Sequence, residues 1–282
     1  MKYLVMLLAA VTLAAVPAPS AFAQEKITVQ GSDTLLKMAA LEAAAFMEKR
    51  PGKIIQVTGG GSGTGIAAII NGAVDIANAS RPMKPREQKM ASARGYEVFE
   101  TPVALDGIAI FVNRANPVRS LTLAQARGIF TGRINNWRQV GGQDTPITRY
   151  SRENNSGTYL HFKEHALAKE NFAPDCQNLP GTASVVNAVS RDHRAIGFGG
   201  LPYGEGVKIL ELEGITPSPE TIASGRYPIS RRLYQYTLGR PRGLAREFIL
   251  FELTAEGQAL AARAGYVPLP EAESRNAAAA LE

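Results

Sequence analysis

QVTGGGSGTGIAAIINGAVDIANASR, residues 56–81, contains the changes of pattern that decide the fold. Gln56–Thr58 ends a strand that starts at Lys53. Gly59, Gly60, Gly61, Gly63 and Gly65, interleaved with Ser62 and Thr64, then read as a turn, because glycine costs a helix interior about 1 kcal/mol relative to alanine. Ile66, Ile69 and Ile70 fall at i, i+3 and i+4, so a helix is expected where the glycines end. AVDIANAS, residues 73–80, reads as a second strand closed by Arg81-Pro82, since proline cannot donate to a central ladder. A helix that starts on such a turn gathers free N–H groups, hydroxyls and the positive end of its dipole, an arrangement that holds an anion.

The same unit recurs twice. GSDT, Gly31–Thr34, separates the alternating KITVQ strand from the helical pattern Leu35–Arg50, with Asp33 or Thr34 as cap. Later, Pro146–Tyr150 is a strand, and SRENNSGT, Ser151–Thr158, leads into a helix. Arg152 stands four residues ahead of Ser156, so a guanidinium can make two parallel bonds to an oxyanion while Ser156 and Thr158 donate from the helix start. Between these units, Asp106 interrupts the apolar strand pattern of residues 97–113. A carboxylate there is costly unless paired or hydrogen-bonded, so it caps a loop, faces an arginine or faces a ligand. Strands alternating with helices throughout define an α/β protein. The only tryptophan, Trp137, is expected to pack, and Pro217–Arg226 reads as a surface loop.

The ends narrow the setting. Met1-Lys2, an apolar run from Tyr3 to Val16 and Ala21-Phe22-Ala23 form a secretory signal peptide over residues 1–23. No later segment approaches the roughly 20 apolar residues of a membrane span, which predicts a soluble periplasmic protein. Cys176, the single cysteine, has no disulfide partner and is expected to be a buried structural thiol. NAAAALE, residues 276–282, resembles a vector-derived tail and is left out of the fold argument. The formal charge of +6 falls to +5 without Lys2, with basic and acidic residues interspersed. That excludes a nucleic-acid arm and suits a small anion.

Other chemistries fit less well. Ser62, three histidines and several aspartates could supply a hydrolase, but Thr64 stands where a Gly-x-Ser-x-Gly elbow needs its last glycine. His161 and His165, at i and i+4 on a polar helix face, lack a third ligand at metal-site spacing and are expected to see solvent. Neither a metal, a cofactor nor a catalytic residue is therefore expected.

GSDT, GGGSGTGI, DIANASR, ALDGIAIFVN, SRENNSGTY, YPISRRLY and TAEGQALAARAGYVPL, in this order along nearly the whole mature chain, resemble the periplasmic phosphate-binding proteins of bacterial phosphate ABC transporters. The resemblance implies a two-lobed type II periplasmic binding protein, each lobe a mixed sheet flanked by helices, joined by two crossover segments. Lobe one would hold residues 24–104 and 233–275, and lobe two residues 105–232. Thr34, the Leu35 N–H, Ser62, Arg152, Ser156, the Gly157 N–H and Thr158 are the implied phosphate contacts. Some relatives carry an aspartate acceptor where Ser80 stands here, so Asp106 would take that role, with Arg81 near it. The implied partners are inorganic phosphate and an inner-membrane ABC permease and ATPase, with the binding protein a monomer. A secreted phosphate sensor or scavenger, or a site for arsenate or phosphonate, would share these features.

Overall fold

The computed structural model describes residues 24–281; the signal-peptide reading of residues 1–23 lies outside them. The chain opens with β1 (Glu25–Gly31), α1 (Leu36–Lys49), β2 (Lys53–Thr58), α2 (Ser62–Ile70), β3 (Ile76–Ala79), α3 (Pro85–Ser92) and β4 (Val98–Val112). β2, β1 and β3 pair in parallel in that spatial order. Each parallel strand therefore ends on the same side, where α1 and α2 begin, and open α/β sheets bind ligands at that edge.

β4 joins the two halves of the sheet. It is fifteen residues long and buried without interruption from Val103 to Val112, as a strand covered on both faces must be. After it come β5 (Ser120–Leu121), α4 (Leu123–Phe130), β6 (Thr148–Arg152), α5 (Gly157–His165), β7 (Gln177–Leu179), α6 (Gly181–Arg191), β8 (Ala195–Gly200), β9 (Lys208–Leu212), α7 (Pro219–Ala223) and β10 (Ser230–Leu238). Residues Val98–Gly107 of β4 pair with β10, whereas Ile108–Val112 pair with β8 and β9. The main path through the sheet is β2-β1-β3-β10-β4-β8-β6-β7, with β9 beside β4 and β5 beside β9 off it. One strand thus carries the chain from one half to the other, and β10, antiparallel beside it, carries the chain back. α8 (Gly243–Leu253), α9 (Ala255–Arg263) and α10 (Glu271–Ala279) then close the first half.

The α/β alternation is as expected, and Trp137 packs as expected, buried with its Nε1 donating to the Arg194 carbonyl at 2.8 Å. Three local readings need correction. α2 begins at Ser62, so Gly63 and Gly65 lie inside the helix. A Cβ on Gly65 would come within 2.4 Å of the Gln30 carbonyl oxygen, so close packing on β1 outweighs the helix penalty of glycine. Residues 217–226 include α7, capped by the Ser218 hydroxyl and anchored by buried Ile222. The tail set aside from the fold belongs to it: α10 runs to Ala279, Leu281 is buried, and Arg246 Nε donates to the Leu281 carbonyl at 2.7 Å.

Under α1 and α8, edge-to-face packing of Phe46 on Phe248 accompanies a buried pair of acids, Glu42 and Glu252. Gln235 of β10 donates to Glu252 Oε1 at 3.0 Å. Burial raises both carboxyls, Glu252 to about 8, and the neighbouring acid raises Glu42 further. The folded chain therefore binds more protons than the unfolded chain between the ordinary carboxyl range and about pH 8, so stability falls as pH rises through that window. Urea unfolding at about pH 5, 7 and 9 is expected to show a declining midpoint, flattened by Glu252→Gln. An equal decline in both proteins would refute the assignment.

Candidate functional site

The two helix starts α1 and α5 face each other from opposite halves of the sheet. At α5, the Ser156 hydroxyl caps the helix, accepting from the Thr158 N–H at 3.2 Å and the Tyr159 N–H at 3.3 Å. This leaves Thr158 Oγ1 pointing across to Thr34 Oγ1, 2.9 Å away and just ahead of α1. The Ser32 hydroxyl accepts from the Thr34 N–H at 3.2 Å, and the Leu35 N–H donates to the Ser32 carbonyl at 3.1 Å. At the start of α2, Ser62 Oγ accepts from the Ser80 N–H at 3.0 Å and lies 3.3 Å from Ser80 Oγ. Gly157 sits over this pair of hydroxyls. A Cβ there would be 2.4 Å from Ser62 Oγ and 2.6 Å from Ser80 Oγ, so only glycine permits the approach.

Asp106 lies at the centre of this cluster, fully buried. Its partner is Arg231, the residue opposite it in the β4–β10 register. Arg231 Nη2 is 2.7 Å and Nε 3.1 Å from Asp106 Oδ2. The same guanidinium donates to Thr158 Oγ1 at 3.1 Å, to Thr34 Oγ1 at 3.3 Å and to the Ser80 carbonyl at 3.1 Å. Burial raises the Asp106 pKa and Arg231 opposes that rise. Oδ1 of Asp106 is buried and accepts no well-formed hydrogen bond, the Leu201 and Gly107 backbone groups reaching the carboxylate only weakly. A buried acceptor left unsatisfied is costly, so this oxygen asks for a donor.

Arg152 flanks the cluster, with Nη2 on Asp33 Oδ2 at 2.8 Å and Nη1 on Thr182 Oγ1 at 2.6 Å, while its Nε is buried without a partner. Asp33 also accepts from the Gly60 N–H at 2.9 Å. Asn155 strengthens the contact between halves: Nδ2 donates to the Gly60 carbonyl at 3.0 Å, and its carbonyl accepts from the Gly63 N–H at 2.9 Å. The halves are thus closed on one another.

Nine of the ten residues singled out from sequence, Thr34, Leu35, Ser62, Ser80, Asp106, Arg152, Ser156, Gly157 and Thr158, gather here. Arg81 does not join Asp106. Both its terminal nitrogens go to Glu87, at 2.8 and 2.7 Å, because Glu87 opens α3 only six residues on and reaches back. Sequence reasoning missed Arg231, Asp33 and Thr182. For Arg231 a signal existed: Ile229, Arg231 and Leu233 alternate onto one buried face, and a guanidinium on an apolar face needs a carboxylate. The histidines also differ from expectation. His165 is exposed, but His161 is mostly buried with Nε2 unpartnered, and burial first, then Arg231 and His165, pulls its pKa down to about 3.

Chemically the site is a set of hydroxyl, amide and guanidinium donors around one free carboxylate oxygen. A family model described as a PBP superfamily domain matches residues 16–256. Phosphate-binding protein PstS of Pseudomonas aeruginosa is 33% identical over 264 residues, covering 85% of this chain and 82% of that protein. This chain belongs to the phosphate-binding protein family of the PBP superfamily. Among solved structures, it is similar to a Clostridium perfringens protein described as a phosphate ABC transporter substrate-binding protein and crystallised with bound phosphate. That pair has a TM-score of 0.82 and 31% identity, over 87% of this chain and 100% of the other. An ABC-type phosphate transport receptor of Vibrio cholerae follows, with a TM-score of 0.71 and 29% identity over 86% and 100% of the two chains. The mixed α/β architecture is that of the type II members of this superfamily.

Removing only one member of the central ion pair leaves a buried charge. Arg231→Met is expected to cost about 3–5 kcal/mol in chemical denaturation, and Arg231→Met with Asp106→Leu to recover most of it. A single variant within about 1 kcal/mol of the native chain would contradict the central role of the pair.

Proposed function

We propose that this protein captures inorganic phosphate between two lobes and delivers it to an ABC importer. The observation that carries the reading is the unsatisfied, buried Asp106 Oδ1 amid the donors Arg231, Thr34 and Thr158. Phosphate at neutral pH keeps a proton, which it can donate to that oxygen; sulfate has none and would set lone pair against lone pair. Unmet buried polar groups give discrimination of about 10⁴ in comparable sites, whereas positive charge alone would accept both ions.

In this reading Thr34, Ser62, Ser80, Arg152, Arg231 and Thr158 supply side-chain contacts, the start of α5 supplies the Gly157 N–H, and Ser156 holds α5 in place, whereas the Leu35 N–H expected from sequence is taken by the Ser32 carbonyl. Arg81 stays outside the set because Glu87 holds it. Lobe one comprises residues 24–104 and 233–275 and takes in the packed tail, and lobe two comprises residues 105–232. β4 exchanges partners between Gly107 and Ile108 and β10 shifts register between Leu233 and Tyr234, both close to those crossing points. The lobes open and close about β4 and β10.

The sequence of residues 1–23 supports export to the periplasm, where a monomeric protein would meet a membrane permease and its ATPase. Among the described residues no helix is long and apolar enough to cross a membrane. A binding role is favoured over hydrolysis because the Ser62 hydroxyl is engaged with Ser80 rather than with a base.

Calorimetric titration of refolded, phosphate-free mature protein tests this. Native protein is expected to bind phosphate at micromolar concentration or tighter with no sulfate heat, and Asp106→Asn to bind phosphate at least about tenfold more weakly while tolerating sulfate. Native protein that binds neither ion refutes the function. An Asp106→Asn variant that keeps native selectivity places the acceptor elsewhere.

A further inference from the structure

A cavity of about 750 Å³ lies beside the anion site, in the seam between the halves of the sheet. One wall is the Arg81–Pro85 segment and the Arg231–Tyr234 stretch of β10; the other is α5 from Leu160 onward, with Lys169 beyond it. These are continuations of the elements that carry Ser80, Arg231 and Thr158, so the two sites share a wall at Arg231.

Part of the lining is apolar. Met83, Leu160 and Tyr234 face it. His161 adds an aromatic surface rather than a charge, because its depressed pKa keeps it neutral, and its ring lies 4.1 Å from that of His165. The rim is basic. Arg81 and Arg232 are answered by Glu87 and Glu273. Lys84, Lys163 and Lys169 face only Glu164 among the acids lining the cavity, and the Lys163 ammonium rests on the neutral Asn171 amide at 2.7 Å. Inorganic ions are too small and too strongly hydrated for such walls. The volume falls within the roughly 300–1,000 Å³ of small-molecule pockets.

We propose that this cavity is a second binding site, separate from the anion site, for a small organic anion with an aromatic or alkyl body, and that its occupation favours the closed lobes. The body fills the apolar walls and the acid meets the lysine rim. Because the Arg81–Pro85 segment and α5 come from different lobes, a ligand touches both only when they are together, and binding selects that arrangement. Phosphate selects it too, so each ligand tightens the other by the same factor. Only this coupling rests on the phosphate reading above.

The probe is 8-anilinonaphthalene-1-sulfonate, titrated by fluorescence into the mature protein with and without saturating phosphate. Calorimetry on the same preparation reports phosphate binding itself, which separates failure of the phosphate reading from failure of the cavity. The expected result is one saturable probe per chain, bound at least threefold more tightly with phosphate present. Leu160→Trp, which fills the cavity, and the surface double variant Lys163→Glu with Lys169→Glu should each weaken the probe at least tenfold and leave phosphate affinity within twofold. Unsaturable fluorescence indifferent to both variants would mean adventitious binding to exposed apolar surface. That result, displacement of the probe by phosphate, or an affinity unmoved by phosphate would each overturn the proposal.

Discussion

Asp106 and Arg231 face each other across β4 and β10, the two strands that run between the halves of the molecule. Both side chains are out of water, and a buried ion pair holds only when its remaining donors are also met. Here the guanidinium meets the end of β3 through the Ser80 carbonyl, the approach to α1 through Thr34 and the first turn of α5 through Thr158. One side chain therefore sets the spacing of five elements. The planar fork of arginine permits this, and a lysine ammonium would not.

Close approach elsewhere depends on small residues. Gly157 lets α5 come down onto Ser62 and Ser80, and Gly200 leaves room beside Asp106, where a Cβ would stand 3.2 Å from Oδ2. Around that contact the Asp33–Arg152 pair and Asn155 tie the halves together with bonds that exist only when the halves meet. The same cluster that gathers the helix starts thus also defines closure. Among these donors Asp106 Oδ1 stays unanswered, while Oδ2 takes the whole of the Arg231 contact.

Burial acts on other acids of this protein with a different outcome. Glu42 and Glu252 are as deeply enclosed as Asp106, but they have each other and an amide in place of a guanidinium, so they hold a proton far above the ordinary range. Asp106, raised by burial and pulled back by Arg231, sits beside the starts of α1 and α5. The two sites differ in the partner, not in the depth.

Much of this was legible along the chain. Periodicity and glycine placement marked strand, turn and helix at Gly31–Thr34, Gly59–Gly65 and Ser151–Thr158, because those patterns depend on sterics between near neighbours. They also marked Asp106 as a carboxylate in need of a partner. The identity of that partner depended on register between strands 125 residues apart. Arg81, nearer in sequence, was captured by Glu87. Tertiary packing alone likewise placed Gly63 and Gly65 inside a helix, covered much of His161 and docked Leu281. Backbone conformation follows from local chain geometry, whereas ion-pair partners and burial follow from which distant surfaces meet, and residue spacing carries no distance across a fold.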